Sequence, residues 1–216
     1  DYVLGVEYNL SNLTKSGGAL ERYDILKKKT KTPMKVDFIW GDATRNLKNG
    51  EAGQKDDKRD DSNRLRQLVG SDSSNNLFDV VSCQFTIHYF FKELDFVNNF
   101  FNNVYQTLRD GGYLIGTTLM GEEVWKLLKD IPINGSREGK IAGVEIWKII
   151  RQYTDNKPLI TGQEIGVFNS SINIKPIPEW LVNFYYFEKL AAKFGLIPVL
   201  DDENFKPFTG LGGFGE

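Results

Sequence analysis

The sequence predicts an α/β domain in which a mostly parallel sheet is covered by helices on both faces. The main observation is that short apolar runs alternate with segments of helical periodicity along most of the chain. This alternation is typical of strand–helix–strand units. The length of 216 residues suits one such domain with a substantial core.

The individual elements follow from apolar spacing and from turn residues. Strands are predicted at residues 2–7, 36–40, 78–84, 113–118, 144–150, 164–173 and 197–200. Helices are predicted at residues 19–29, 62–69, 94–108, 122–129 and 178–194. Asp110, Gly111 and Gly112 are expected to stop the third helix, and Pro178-Glu179 to open the last one.

Composition excludes several classes of protein. The net charge of -2 argues against bulk electrostatic binding of nucleic acid, although it leaves room for a local basic groove. A single cysteine excludes a disulfide framework and a cysteine-rich zinc site, so no metal is expected. No apolar run is long enough to span a bilayer, so no membrane association is expected. Residues 44–76 are polar and of mixed charge, which predicts a solvated insertion with one short helix.

Polar residues end three of the predicted strands. In open α/β sheets ligands bind at the carboxyl ends of strands. Glu7 ends the first strand and suits the two hydroxyls of a ribose, because a carboxylate accepts two hydrogen bonds well. Asp42 follows the second strand and suits an exocyclic amine, and Gln84 ends the third. The alternative is that these residues only cap loops.

Residues 82–91 follow the third strand and combine the single histidine, His88, with four aromatic residues. Aromatic faces at a strand end can stack on a purine. The alternative is that Phe85, Tyr89 and the two phenylalanines after them close the core, and that His88 is a hydrogen-bonded bystander. Composition alone leaves both interpretations open.

Three blocks of sequence resemble one known family. They are SCQFxxHYxF at 82–91, GYLIGTT at 112–118 and PEWLVNF at 178–184. Their order and spacing are similar to those of mRNA cap guanine-N7 methyltransferases, most of all the versions from large DNA viruses. The resemblance implies a Rossmann-like class I methyltransferase fold, S-adenosylmethionine (SAM) as methyl donor and the capped 5′ end of mRNA as substrate.

The resemblance also implies which residues contact the cofactor. Glu7 matches the acid that holds the SAM ribose, which is normally Asp in the family. Asp42 and Ala43 match the pair that contacts adenine. Gln84 matches a residue along the methionine moiety, and Tyr89 matches one that lies between SAM and the guanine.

A second set matches the cap side of the family. His88 and Glu179 match contacts to the cap guanine, with Phe85 and Tyr89 beside them, and Arg22 matches a basic residue suited to the triphosphate bridge. For Glu179 the alternative is a charge that favours the N-terminus of a helix. No residue is expected to act as a general base, because guanine N7 carries a free lone pair.

Residues 1–216 are therefore expected to form one cap methyltransferase domain that is incomplete at both ends. The family's first strand and its Gly-rich SAM loop should precede Asp1, and its last strands should follow Glu216. Linked triphosphatase and guanylyltransferase domains are expected by analogy. The expected location is the host cytoplasm or the virion for a viral protein and the nucleus for a cellular one. The alternatives are a methyltransferase acting on a small molecule and a non-catalytic binding module.

Overall fold

The structure is a computed structural model that describes residues 2–70 and 77–199. Its strands are β1 (Tyr2–Glu7), β2 (Lys35–Trp40), β3 (Phe78–Gln84), β4 (Leu108–Thr117), β5 (Ser136–Ile141), β6 (Val144–Arg151), β7 (Glu164–Asn169) and β8 (Ile177–Trp180). Its helices are α1 (Leu10–Thr14), α2 (Ala19–Lys29), α3 (Asp61–Val69), α4 (Ile87–Phe90), α5 (Leu94–Thr107), α6 (Gly121–Leu128) and α7 (Phe184–Lys193).

The first four strands form two parallel pairs. Strand β1 pairs with β2, with Glu7 opposite Trp40, and β3 pairs with β4, with Gln84 opposite Thr117. No backbone ladder joins the two pairs within the described ranges. Parallel pairs need crossover connections, and helices supply them here. The α/β class predicted from the sequence is therefore confirmed.

The other four strands form an antiparallel sheet in the order β5-β6-β7-β8. Strand β5 was not predicted, because its sequence SREGKI has little apolar character. A two-residue turn at Ala142 and Gly143, both with positive φ, joins it to β6. Such turns match the twist of hairpin strands, so the turn, rather than a hydrophobic pattern, specifies the pairing of β5 with β6.

Three apolar clusters hold the elements together. One packs helices α4, α5 and α7 behind strand β3, around the almost fully buried Phe91 and Phe101. A second packs α6 against β6 and β7, and a third packs β1 and β2 against α3. The first cluster lies directly behind the segment that carries the family signature, so that segment rests on a rigid base.

The expectation that residues 44–76 are solvated is wrong for much of their described part. Ala52 and Leu65 have no exposed surface, and both pack against Ile39 of β2. Asp61 is also fully buried, but its charge is compensated because it forms ion pairs with Arg59 and Arg64. Residues 71–76 of this segment lie outside the described residues.

The helix predicted from Pro178 onward is wrong in its start. Pro178 and Glu179 lie in β8, where Glu179 stands opposite Ile165 of β7. The helix begins at Phe184, after Asn183, whose side chain accepts a hydrogen bond from the amide of Tyr186. Pairing with β7 therefore overrides the local Pro-Glu signal for a helix.

The glycine pair before β4 also behaves differently from the prediction. Helix α5 ends at Thr107, and β4 already begins at Leu108, opposite Phe78. The register shifts after that pair, and Gly111 adopts a φ of 71°. The Asp110-Gly111-Gly112 segment thus forms an irregularity within β4 rather than a helix stop.

Two strand predictions in the last part of the chain need correction. Strand β7 ends at Asn169, four residues before the predicted end at position 173. Residues 197–199 form no strand, and Leu200 lies outside the described residues. In the part of the chain that the structure describes, no helix is long and apolar enough to cross a membrane.

Candidate active site

Parallel pairing brings the first two polar strand ends together. The amide of Gly41 donates to the carbonyl of Glu7 at 2.9 Å, so Asp42 lies one residue beyond that contact. Both acids are half-buried. The structure therefore places Glu7 and Asp42 at the same edge of the β1–β2 pair, as a ligand site at strand ends requires.

Glu7 keeps part of its capacity to accept hydrogen bonds. Its Oε1 accepts from the amide of Asn9 at 2.7 Å and from the side chain of Asn12 at 3.3 Å. Its Oε2 makes no hydrogen bond to any described residue. The carboxylate is therefore oriented through one oxygen and can receive a ribose hydroxyl at the other.

Asp42 has a similar division between its two oxygens. Oδ1 accepts from the amide of Thr44 at 3.0 Å and from its hydroxyl at 2.6 Å, which closes a tight turn. Oδ2 lies 3.9 Å from Nε of Arg45, whose side chain is mostly exposed. The loop-capping role considered from the sequence is real, but it occupies only one oxygen.

Strand β3 ends in an unusual turn. Gln84 is exposed, and its amide oxygen accepts from the hydroxyl of Thr117 on β4. Phe85 follows with a φ of 51°, a conformation that is uncommon outside glycine, and its amide donates to Thr117 at 2.8 Å. The turn leaves the Phe85 ring 54% exposed.

Helix α4 is a single turn anchored by its aromatic residues. The ring of Phe90 lies 4.5 Å from that of Phe100, and Phe91 is 1% exposed within the same cluster. These two residues therefore do close the core, as the simpler interpretation held. Tyr89, between them and the strand end, remains 40% exposed.

His88 and Glu179 meet where α4 packs against β8. Nδ1 of His88 lies 3.6 Å from Oε2 of Glu179, and both residues are buried. Nε2 of His88 is also buried and has no hydrogen-bond partner in the structure. Buried polar atoms without a partner are uncommon in folded proteins, although Nε1 of Trp125 and the hydroxyl of Tyr153 share this property here.

Burial changes the protonation of this pair. It lowers the pKa of His88 to about 4 and raises the pKa of Glu179 to about 7. At neutral pH the imidazole is therefore uncharged, and the carboxyl group is close to its midpoint. Since Glu179 lies in a strand, the interpretation that it serves a helix N-terminus is wrong.

Tyr89 is electrostatically linked to both sides of the site. Burial raises the pKa of its hydroxyl, and the charges of Glu179 and Glu7 raise it further. The Tyr89 ring also lies 4.2 Å from the ring of His88, edge to face. The strand-end acid Glu7 and the buried acid Glu179 thus act on the same tyrosine.

Ala43 and Arg22, which were also predicted as site residues, contact other parts of the structure. The backbone of Ala43 accepts a hydrogen bond from Asn103, and its side chain packs against the core behind α4. Arg22 is exposed on α2, and its Nε donates to the carbonyl of Gly17 at 2.6 Å. No contact within the described residues connects Arg22 to His88 or Glu179.

Trp180 is a neighbour of the site that the sequence did not single out. Its ring lies 6.4 Å from that of Tyr89, and Nζ of Lys92 lies 5.5 Å above it. It stood within the PEWLVNF block, immediately after Glu179, and that adjacency was the signal that could have identified it.

A family model described as the mRNA (guanine-N(7))-methyltransferase domain matches residues 14–209. The chain belongs to this family. It is 32% identical to a probable mRNA-capping enzyme of Acanthamoeba polyphaga mimivirus over 219 residues, which is 97% of this chain and 18% of the relative. It is 28% identical to the mRNA cap guanine-N(7) methyltransferase of Schizosaccharomyces pombe over 138 residues, covering 62% of this chain and 36% of the relative.

The same similarity extends to a second virus and to a solved structure. The mRNA-capping enzyme of African swine fever virus, strain Badajoz 1971, is 31% identical over 122 residues, covering 56% of this chain and 14% of that enzyme. A SAM-dependent methyltransferase from Clostridium acetobutylicum aligns with a TM-score of 0.50 and 14% identity, covering 93% of this chain and 66% of that one. This structural alignment indicates that the chain has the class I methyltransferase fold. The chain spans only 14–36% of the length of these curated relatives.

Proposed function

We propose that this domain transfers the methyl group of SAM to N7 of the guanine cap of mRNA. The observation that carries the proposal is the buried His88–Glu179 pair next to the exposed ring of Tyr89. Family membership supports the same activity. A methyltransferase that acts on a small molecule would share Glu7 and Asp42 but has no need of a buried carboxylate on β8.

The residues of the cofactor side fit SAM in part. Glu7 offers a ribose acceptor, and Asp42 offers an acceptor to the adenine amine through the oxygen that its own turn leaves free. Gln84 lies beside the methionine end in this assignment. When bound, SAM supplies a methyl group on a sulfonium centre, which is already activated for transfer.

The guanine side performs recognition and positioning. Glu179 accepts from the N1–H and N2–H groups of guanine, two donors that match one carboxylate. Its negative charge then offsets the positive charge that methylation places on the imidazole ring of the base. The Tyr89 and Phe85 rings supply apolar faces for the purine, and Arg22 is the proposed contact to the triphosphate bridge.

No general base is needed in this mechanism. The lone pair of guanine N7 lies in the plane of the ring and is free at neutral pH. His88 is uncharged and lies 3.6 Å from Glu179, and it is the second proposed contact to the cap guanine. The rate enhancement comes from holding N7 in line with the reacting methyl group at about 3–3.5 Å.

The unpaired edges of the two parallel pairs favour one further strand between β1 and β3. Val3 and Val80 are 40% and 46% exposed, although parallel strands are normally buried on both faces. The rings of Tyr2 and Phe78, at the starts of these strands, stack at 6.1 Å. An upstream strand with a Gly-rich turn would cover both edges and complete the methionine side of the site.

Two measurements test this set of proposals. The first is transfer of labelled methyl from SAM to capped RNA by the intact protein, with identification of the product base; a methylated base other than 7-methylguanine contradicts the function. The second is SAM titration of this chain with and without an upstream extension. Equal affinity contradicts the added strand.

The proposed setting follows from the relatives. The viral relatives are named as capping enzymes and are much longer than the matched region. We infer linkage to triphosphatase and guanylyltransferase domains, which supply the capped 5′ end on which this domain acts. The setting would be the host cytoplasm or the virion for a viral protein, and the nucleus for a cellular one. A non-catalytic binding module is the alternative, and cap binding without methyl transfer would favour it.

A further inference from the structure

The loop that follows β2 is attached to helix α5 by one buried side chain. Asn103 is 4% exposed, and its Oδ1 accepts from the amide of Leu47 at 2.9 Å. Its Nδ2 donates to the carbonyl of Ala43 at 3.0 Å and to that of Arg45 at 2.8 Å. All three hydrogen bonds of this side chain therefore go to the backbone of the loop.

Only an amide side chain of this length serves all three partners. A carboxylate has no donor for the two carbonyls, and an apolar side chain offers neither donor nor acceptor. Loss of the amide leaves these loop groups without partners, and unpaired buried groups are costly. Asn99, one turn earlier on α5, adds a fourth bond from its Nδ2 to the carbonyl of Thr44 at 2.9 Å.

These bonds differ in role from those made by Asp42. The two bonds from Thr44 to Asp42 close the turn upon itself and fix its internal shape. The bonds from Asn103 and Asn99, together with one from the side chain of Asn46 to Gln106 at 3.1 Å, fix where the turn lies relative to α5. Shape and location are thus controlled by separate residues.

Helix α5 also supports the guanine side. Phe100, three residues before Asn103, packs against Phe90 of α4 at 4.5 Å between ring centroids. Phe90 lies two residues after His88 and one after Tyr89. The same helical turn therefore contacts the cofactor loop through a polar side chain and the guanine segment through an aromatic one.

We propose that Asn103 is a positioning residue for the cofactor: it holds the Asp42–Ala43 loop at a fixed place relative to α5 and so sets the adenine end of the SAM site. The inference rests on the proposed function, because it concerns the binding of SAM. Asn103 acts through the loop backbone and does not itself touch the cofactor.

The test is a graded alanine series on one helix, made in the intact protein. Asn103→Ala removes three hydrogen bonds to the loop, Asn99→Ala removes one, and Asn102→Ala removes none to any described residue. Alanine is the best helix former, so α5 itself is preserved. The measured quantities are KM for SAM, KM for capped RNA, kcat, and amide exchange of residues 43–47 in the SAM-free protein.

We expect KM for SAM to rise about tenfold in Asn103→Ala, less in Asn99→Ala and not at all in Asn102→Ala. KM for capped RNA should stay within about twofold of wild type, because the contact between Phe100 and Phe90 is left in place. The Leu47 amide should exchange faster in Asn103→Ala, since it loses its acceptor. A merely structural role for Asn103 would not raise one KM selectively.

Three outcomes overturn the proposal. One is an unchanged KM for SAM in a folded Asn103→Ala protein, and another is an equal rise in the Asn102→Ala control. If Asn103→Ala does not fold, the half-buried Asn99→Ala variant decides, and wild-type SAM binding there contradicts the proposal. A wild-type protein that binds no SAM removes the proposed function and this inference with it, whereas normal wild-type binding with an insensitive series removes the inference alone.

Discussion

The cofactor side and the guanine side of the site differ in how their polar atoms are satisfied. On the cofactor side, Asp42 and Gln84 are half-buried or exposed and already accept hydrogen bonds from Thr44 and Thr117. On the guanine side, the buried Nε2 of His88 has no partner, and burial shifts the pKa values of His88 and Glu179 in opposite directions.

This difference separates two ways of building a binding surface. The cofactor side is held in place by its own hydrogen bonds and needs no ligand to be stable. The proposed guanine side carries a desolvation cost in the absence of a ligand, and donors from a bound guanine would relieve it at the Glu179 carboxylate. In the proposed function, recognition of the base therefore depends on groups that the fold leaves incompletely satisfied.

The largest effect is expected from Glu179→Gln. The amide keeps the shape but presents a donor to the N1–H of guanine, so methyl transfer should fall about 30- to 1,000-fold. SAM affinity should not change. The matched control is Glu123→Gln, an exposed glutamate paired only with Lys126, which should retain wild-type activity. Wild-type turnover of capped RNA by Glu179→Gln would contradict the recognition role.

The cofactor side predicts a smaller effect for Asp42→Asn. Asparagine keeps an oxygen for the two bonds from Thr44, so the turn should persist. Its amide nitrogen, however, is a donor that would face the adenine amine, which is also a donor. SAM affinity should weaken by about 1.5–3 kcal/mol in isothermal titration, the range for a hydrogen bond to a charged group. Cap-analogue affinity should be unaffected. Thr44→Val removes only the hydroxyl donor to Asp42. It therefore distinguishes weaker SAM binding caused by a disturbed turn from weaker binding caused by the lost contact to adenine.

Cap binding should depend on pH, and SAM binding should not. Glu179 must be ionised to accept both guanine donors, and its pKa is raised to about 7. Cap-analogue affinity should therefore fall about tenfold between pH 8 and pH 6, because protonation removes the competent form. The neighbouring His88 stays uncharged over this range. A flat profile in the wild type, or the same profile in Glu179→Gln, would show that another group is responsible.

The last effect is on stability, and its sign is opposite to that on activity. The pKa of Glu179 is raised from 4.5 to about 7 on folding, so stability is highest below 4.5 and falls as pH rises through 7. Glu179→Gln should therefore be more stable than wild type at pH 8, by about 1–3 kcal/mol. The gain should disappear at pH 4, where the wild-type carboxyl is protonated in both states. Urea unfolding at the two pH values measures it, and a loss of stability at pH 8 would contradict the desolvation argument.

The sequence predicted the elements that depend on local pattern. Helix α5 lies where apolar spacing placed it, because periodicity reports which face of a helix is buried, and strand β3 lies on the apolar run that predicted it. The strand that carries Glu179 was missed, because its conformation depends on pairing with β7, where Glu179 stands opposite Ile165, 14 residues earlier in the chain. Strand β5 was missed because its sequence, SREGKI, has little apolar character.

The sequence predicted which residues form the candidate site, but not how buried each side chain is or what it contacts. Sequence blocks indicated His88 and Glu179, yet no local pattern says that both are buried and that they face each other. Asn103 was not identified, because an asparagine within a helical pattern gives no sign of its partners. Its role becomes visible only when the loop after β2 packs against α5.

Strand β8 also has a consequence for association between molecules. It ends the antiparallel sheet among the described residues, so one of its edges has no backbone partner there. An open edge is a template on which a strand from another chain can pair, which leads to aggregation. Pro178, which is exposed, has no amide hydrogen to offer and interrupts that template one residue before Glu179. The proline thereby interrupts this edge as a surface on which a strand of another chain could pair.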